Sequence, residues 1–226
     1  VTIVEITEGL FLLEMLPLSG AALAGWVRWP KLSWAMRWLS IYVTLVLLIE
    51  VLAKLHLYVW TDSDNVYLMH IYSPLEFILV SLFYLRVLPL TSEGKKWFRY
   101  FIIFLGVLLV AYSVFHLTVN TGDQVFRYEL LSKAVVNAFL IVYASIFIIQ
   151  SLLNPGHFLD RASSLFVVNA AIMLYFAGTF VIFITLHYLM ESELGQTVYF
   201  WLINVLLAFI LHTSILITLW KKPSSS

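Results

Sequence analysis

Of 226 residues, 62% are hydrophobic and 16% aromatic, while only 12% are charged, about half of the roughly 25% charged in an ordinary soluble domain. That much apolar surface excludes a water-soluble fold, and 13 basic residues balanced by 13 acidic ones exclude a field that would gather nucleic acid or acidic substrates. The absence of cysteine excludes disulfides, thiolate metal sites and thiol nucleophiles.

A helix needs about 20 apolar residues to cross a hydrocarbon core of about 30 Å. Seven windows reach that length, which predicts an all-α, polytopic bundle of seven helices over residues 1–226, a single transmembrane domain without a soluble one. The first, at about 8–28, departs most from a plain span. It carries Glu14 and Pro17, so a broken or interfacial segment is the alternative, while Ser19, Gly20, Ala21, Ala22, Ala24 and Gly25 offer the small-residue spacing of close helix packing. Trp29-Pro30-Lys31 ends it. The second window, at about 36–59, sets Glu50, Lys54 and Tyr58 four residues apart on one face and adds His56 near its end. After the break at Thr61 to Asn65, the third covers about 66–88 and holds His70, Ser73 and Glu76 around Pro74. Glu76 has no charged residue four positions away, so its partner is expected on another helix, with Lys54 and Lys133 as candidates.

Beyond the break from Pro89 to Lys96, the fourth window spans about 97–119 and contributes His116. The Asn120 to Asp123 break follows. Glu129, Lys133 and Asn137 share one face of the fifth window, at about 126–152. Asn154-Pro155-Gly156 separates it from the sixth, at about 163–188, which contains Asn169 and ends near His187. The stretch from Glu191 to Gly195 precedes the seventh, at about 196–220, where Asn204 is expected to bond another helix and no lysine occurs before Lys221, which excludes a retinal-type Schiff base.

Basic residues set the expected orientation, because cytoplasmic loops retain Lys and Arg. Arg28, Lys31, Arg37, Arg86, Lys95, Lys96, Arg99, Arg161, Lys221 and Lys222 fall on one side, and Lys54, Arg127 and Lys133 on the other. The N-terminus is therefore expected outside and the C-terminus in the cytoplasm, in a bacterial inner membrane. Trp26, Trp29, Trp34, Trp38, Trp60, Trp97 and Trp220 lie near predicted helix ends, as headgroup anchors do.

Ionisable groups in hydrocarbon cost about 2.5–3.5 kcal/mol each, so their placement carries information. Of the polar groups Glu50, Lys54, His70, Glu76, His116, Glu129, Lys133 and Asn137, nearly all fall between the bilayer centre and the expected outer surface; Asn169 and His212 are the main polar residues of the inner half. One reading makes Glu50–Lys54 and Glu129–Lys133 self-satisfied intrahelical ion pairs. The other gathers the eight residues around an outward-facing polar cavity that binds a ligand. His56, His70, His116 and His187 approach the same face, but no two have i, i+4 ligand spacing, so no metal site is assigned. Phosphate-binding loops, a nucleophile elbow, HExxH and GxGxxG are all absent from the sequence, so no catalytic residue and no cofactor are assigned either.

Four stretches carry a resemblance: His70-Ile-Tyr-Ser-Pro-Leu-Glu-Phe-Ile-Leu, the run from Val135-Val-Asn137 to Ile146-Phe-Ile-Ile, Asn169-Ala-Ala-Ile-Met-Leu-Tyr-Phe-Ala-Gly178, and Trp201-Leu-Ile-Asn204. In order and wording the chain resembles a group of short, uncharacterised seven-helix membrane proteins common in Bacteroidota. Members often have a glutamate where this chain has Asn137, so a role that needs a carboxylate there does not carry over. The group has no assigned chemistry, and its genes often neighbour two-component signalling genes; the resemblance implies a seven-helix fold and a sensory or regulatory association.

Two functions remain. One is a non-enzymatic sensory or regulatory module, or an accessory subunit of a membrane complex, embedded in the lipid bilayer beside a membrane protein partner. The alternative is an intramembrane lipid hydrolase or transferase using Glu76, His70 and His116. A solute carrier would need a polar path through the apolar inner half.

Overall fold

Backbone N–H and C=O groups in hydrocarbon must be satisfied within the chain, which leaves helices as the solution for long apolar runs. The computed structural model, which describes residues 3–59, 66–119, 123–153, 162–189 and 197–221, contains α1 (Ile3–Val27), a short 3-10 turn (Trp29–Lys31), α2 (Trp34–Val59), α3 (Val66–Val87), α4 (Ser92–Val119), α5 (Asp123–Leu153), α6 (Ala162–Leu189) and α7 (Thr197–Trp220). The expected breaks at 61–65, 120–122, 154–156 and 191–195, the anchor Trp60, and Arg161, His157 and Lys222 lie outside the described residues, as do the side chains of Tyr58 and Arg127.

Helix starts follow from capping. α4 begins at Ser92, ahead of the window at about 97, because the Thr91 hydroxyl accepts from the Gly94 amide at 3.1 Å. Such a side-chain cap satisfies a donor that would otherwise have no partner. Ser33 does the same for α2, accepting from the Met36 amide at 3.4 Å. Pro17 and Pro74 both sit inside helices, and each removes one backbone donor without ending its helix.

Among the described residues, six helices are long and apolar enough to cross a membrane: Trp34–His56, Tyr67–Val87, Ser92–Val119, Glu129–Leu153, Ser164–His187 and Tyr199–Trp220. The apolar part of α1, Leu12–Val27, is shorter, although the whole helix of 25 residues measures about 37 Å at 1.5 Å per residue. The protein is thus a multi-pass, membrane-embedded bundle of seven helices. Its side chains are distributed accordingly. Leu16 and Leu23 of α1, Phe104 and Val107 of α4, Val181 of α6 and Ile203 of α7 are exposed, while Glu14, His70, Glu76, Glu129, Lys133, Asn137, Asn169 and His212 are buried. In water that arrangement would expose the oil and hide the charge; in a bilayer both choices lower the free energy.

Neighbour contacts run α1–α2–α3–α5–α6–α7 and back to α1, closing a ring of six helices. α4 stands outside the ring, packed on α3 and lightly on α5. Small residues set the tightest approaches. A Cβ on Gly25 would fall 2.6 Å from the Ser40 hydroxyl oxygen, so the α1–α2 crossing requires glycine there. Phe77, Phe83, Leu140, Phe147, Ile172, Phe176 and Leu211 fill the main core, and Leu130, Ala134, Ile182, Phe183 and Leu186 form a smaller cluster between α5 and α6. At the end of the bundle rich in basic residues, the Arg28 guanidinium donates to the carbonyls of Leu219 and Lys221, both at 2.7 Å. It thereby satisfies acceptors left over at the end of α7.

Candidate functional site

α3 and α5 meet along one seam of the ring, and both present polar residues to it at helical spacing. On α3 these are His70, Ser73 and Glu76; on α5 they are Glu129, Lys133 and Asn137. Each carboxylate finds its partners on other residues of the seam. Lys133 Nζ donates to Glu76 Oε2. Glu76 Oε1 accepts from the Tyr72 hydroxyl at 2.5 Å and from the Tyr42 hydroxyl of α2 at 3.3 Å. The Lys133 ammonium also lies 4.2 Å from the Tyr72 ring centroid, within cation–π range. One turn away, Glu129 Oε2 is 2.9 Å from His70 Nδ1, and Glu129 Oε1 accepts from the Ser73 hydroxyl. Glu76 and Glu129 are 0% exposed and Lys133 is 2% exposed.

The expected intrahelical pair of Glu129 with Lys133 is therefore replaced by two pairs that cross between α3 and α5. Of the two candidate partners for Glu76, the one in contact is Lys133. A Glu–Lys pair four apart on an isolated helix contributes only about 0.2–0.5 kcal/mol. Closure of the seam offers each charge a partner from the facing helix, and hydroxyls of Tyr42, Tyr72 and Ser73 add further donors to the two carboxylates. Asn137 continues the α5 stripe and meets the Thr179 hydroxyl of α6 at 2.9 Å. His116 of α4 is buried and lies within electrostatic reach of His70. Glu50 and Lys54 are half-buried on α2. The seam is buried: Glu76, Lys133, Glu129, His70 and Ser73 meet across it, while Asn137 turns to Thr179 of α6.

Two further polar ties do not involve the expected site residues. His212 Nδ1 of α7 is 3.2 Å from Glu14 Oε1 of α1, joining the first and last helices of the ring. Lower in the bundle, the Tyr84 hydroxyl donates to Asn169 Oδ1 at 2.6 Å, and Asn169 Nδ2 donates to the Ala144 carbonyl at 3.1 Å, locking α3, α6 and α5 together. Asn204 was expected to bond another helix; its Oδ1 has no hydrogen-bond partner among the described residues. Tyr72 was legible in principle, since it precedes Glu76 by one turn. Tyr42 and His212 had no local signal, because their partners lie 34 and 198 positions away in the chain (76 − 42 and 212 − 14).

Chemically, the seam combines a serine, a histidine and a glutamate, but not in the order that nucleophilic catalysis requires. A triad places the histidine on the serine and the acid behind the histidine. Here Glu129 takes the Ser73 proton donor directly and also holds His70, so Ser73 is engaged with the acid. Among the described residues no group of three His, Asp or Glu side chains is placed to hold a metal ion. Comparison with protein-family models, with curated proteins and with solved structures yields no match.

Proposed function

We propose that this protein is a non-enzymatic membrane module, sensory or regulatory or an accessory subunit of a membrane protein complex, whose working element is the ionic seam between α3 and α5. The observation that carries this reading is the geometry of Lys133. It pairs with Glu76 across the seam, yet Glu129 sits one turn away on its own helix, held by His70 and Ser73. A swing of the Lys133 side chain would exchange the crossed pair for the intrahelical one and, by releasing the ionic tie between the helices, let α3 and α5 shift against each other. Two such pairings are a two-state element that a ligand, a proton or a partner can bias. Buried ion pairs are a poor way to add stability, because well-packed apolar residues of similar volume do as well or better. Their presence in a seam that could have been apolar supports a role in switching. The resemblance to the short seven-helix proteins of Bacteroidota, and the regulatory association it implies, belongs to the same proposal.

The basic end, bearing Arg28, Lys31, Arg37, Arg86, Lys95, Lys96, Arg99 and Lys221, is assigned to the cytoplasm by the positive-inside rule, with the other end outside and the chain in a bacterial inner membrane.

The test uses the natural absence of cysteine. Spin labels on cysteines introduced at the exposed positions Ile71 of α3 and Val135 of α5 report the distance across the seam. A Glu76→Gln variant is expected to add or shift a distance population relative to the wild type. Identical distributions in the wild type, Glu76→Gln and Glu129→Gln would overturn the switch.

A further inference from the structure

At the basic end of the bundle, five side chains from α1, α2, α3 and the intervening turn stack in sequence. Trp26 and Trp29 are stacked with centroids 4.9 Å apart. The Arg37 guanidinium lies over Trp29 at 5.5 Å and over Trp34 at 5.0 Å, and the Arg86 guanidinium lies over the same Trp34 ring at 5.9 Å. Two cations thus converge on one indole. Neither forms an ion pair with a carboxylate among the described residues, and Arg37 Nε is buried without a hydrogen-bond partner among them. Arg28, by contrast, spends its donors on the end of α7. With the guanidinium faces covered by rings, what Arg37 has left to offer is its edge, a planar fork of N–H donors whose best complement is a carboxylate or phosphate.

Trp26, Val27 and Trp34 are exposed beside the two arginines, and Leu16 and Leu23 extend the same apolar stripe along α1 toward the bilayer centre. Tryptophans of this kind mark the headgroup level of a membrane. An anion that satisfies both features has a charged head and an apolar tail.

We propose that Arg37, Arg86 and Trp34 form a binding site for an anionic phospholipid, with the phosphate on the guanidinium edges and an acyl chain along the exposed stripe of α1. The proposal is independent of the switch at the α3–α5 seam, which lies deeper in the bundle.

Native mass spectrometry of the full chain in detergent tests it, with phosphatidylglycerol and phosphatidylcholine of identical acyl chains offered in competition. The wild type is expected to retain phosphatidylglycerol with a preference on the order of tenfold, as two interfacial arginines provide. Arg37→Gln with Arg86→Gln is expected to bring the preference near unity, and Lys95→Gln with Lys96→Gln, which removes two exposed charges from the same end, to leave it intact. Because the Arg86 side chain is exposed, Arg86→Gln alone gives a folded variant that must show a partial loss. Equal retention of both lipids by the wild type, a preference that survives loss of both arginines, or an equal loss in the lysine variant would each overturn the site. Displacement of the lipid by millimolar inorganic phosphate would overturn the assignment to a lipid in favour of a free anion.

Discussion

Lys133 of α5 bonds Glu76 of α3, on the facing helix, and leaves Glu129, one turn away on its own helix, to His70 and Ser73. Each charge of the seam is consequently part of the α3–α5 contact.

Removing one member of the Glu76–Lys133 pair strands the other in a buried site. Glu76→Gln or Lys133→Met alone is expected to destabilise the protein by about 3–5 kcal/mol. The double variant Glu76→Gln with Lys133→Met should recover most of that loss, because no unpaired charge remains. Thermal unfolding of the four proteins in one detergent, read as a double-mutant cycle, measures it; additive losses would mean that the two residues act independently.

The Tyr84 hydroxyl is a neutral donor to Asn169 in the buried core of the bundle. Tyr84→Phe keeps the ring and strips the donor, leaving the Asn169 oxygen unsatisfied, at an expected cost of about 1–3 kcal/mol. Asn169→Leu in the same chain should restore part of that loss if the hydroxyl acts through this bond. The same unfolding measurement decides it.

Close approach of α1 to α2 depends on Gly25. Gly25→Ala places a methyl against Ser40, whose hydroxyl donates to the Met36 carbonyl at 2.9 Å, and is expected to cost about 1–3 kcal/mol through overpacking. Ser40→Gly combined with it should recover part of the loss. Lowered yield and melting temperature for the single variant, with partial rescue in the double, is the expected result.

Orientation is tested by single cysteines, again against a cysteine-free background. A cysteine at Lys95, at the basic end, should resist a membrane-impermeant maleimide in intact cells and react after permeabilisation. A cysteine at the exposed Val119, at the other end of α4, should react in both. The reverse pattern would invert the topology.

Much of the fold was legible because the bilayer imposes it. A long apolar run has to become a helix, so the seven windows and the polar character of the α3 and α5 stripes could be read from composition and spacing alone. Even the partner of Glu76 was narrowed to two lysines, since an unpaired carboxylate in hydrocarbon has few options. α4 shows where local reading fell short: its first turn is polar, and the Thr91 cap that starts it was hidden by the search for apolar length.

By itself, then, the sequence determined what each helix contains and that its buried charges need partners. Which charges meet was decided by the tertiary structure. Helical spacing gives Glu129 and Lys133 to each other, and the sequence holds no local term that favours His70 or Glu76 over that pairing. Only when α3 and α5 close the ring does each carboxylate gain a partner and a hydroxyl from outside its own helix, and in a medium without water that added hydrogen bonding outweighs the weaker pair along one helix. Tyr42 on Glu76, Glu14 on His212 and Arg37 beside Arg86 follow from the same cause, the arrangement of helices around the ring, whereas Tyr72 reaches Glu76 along its own helix.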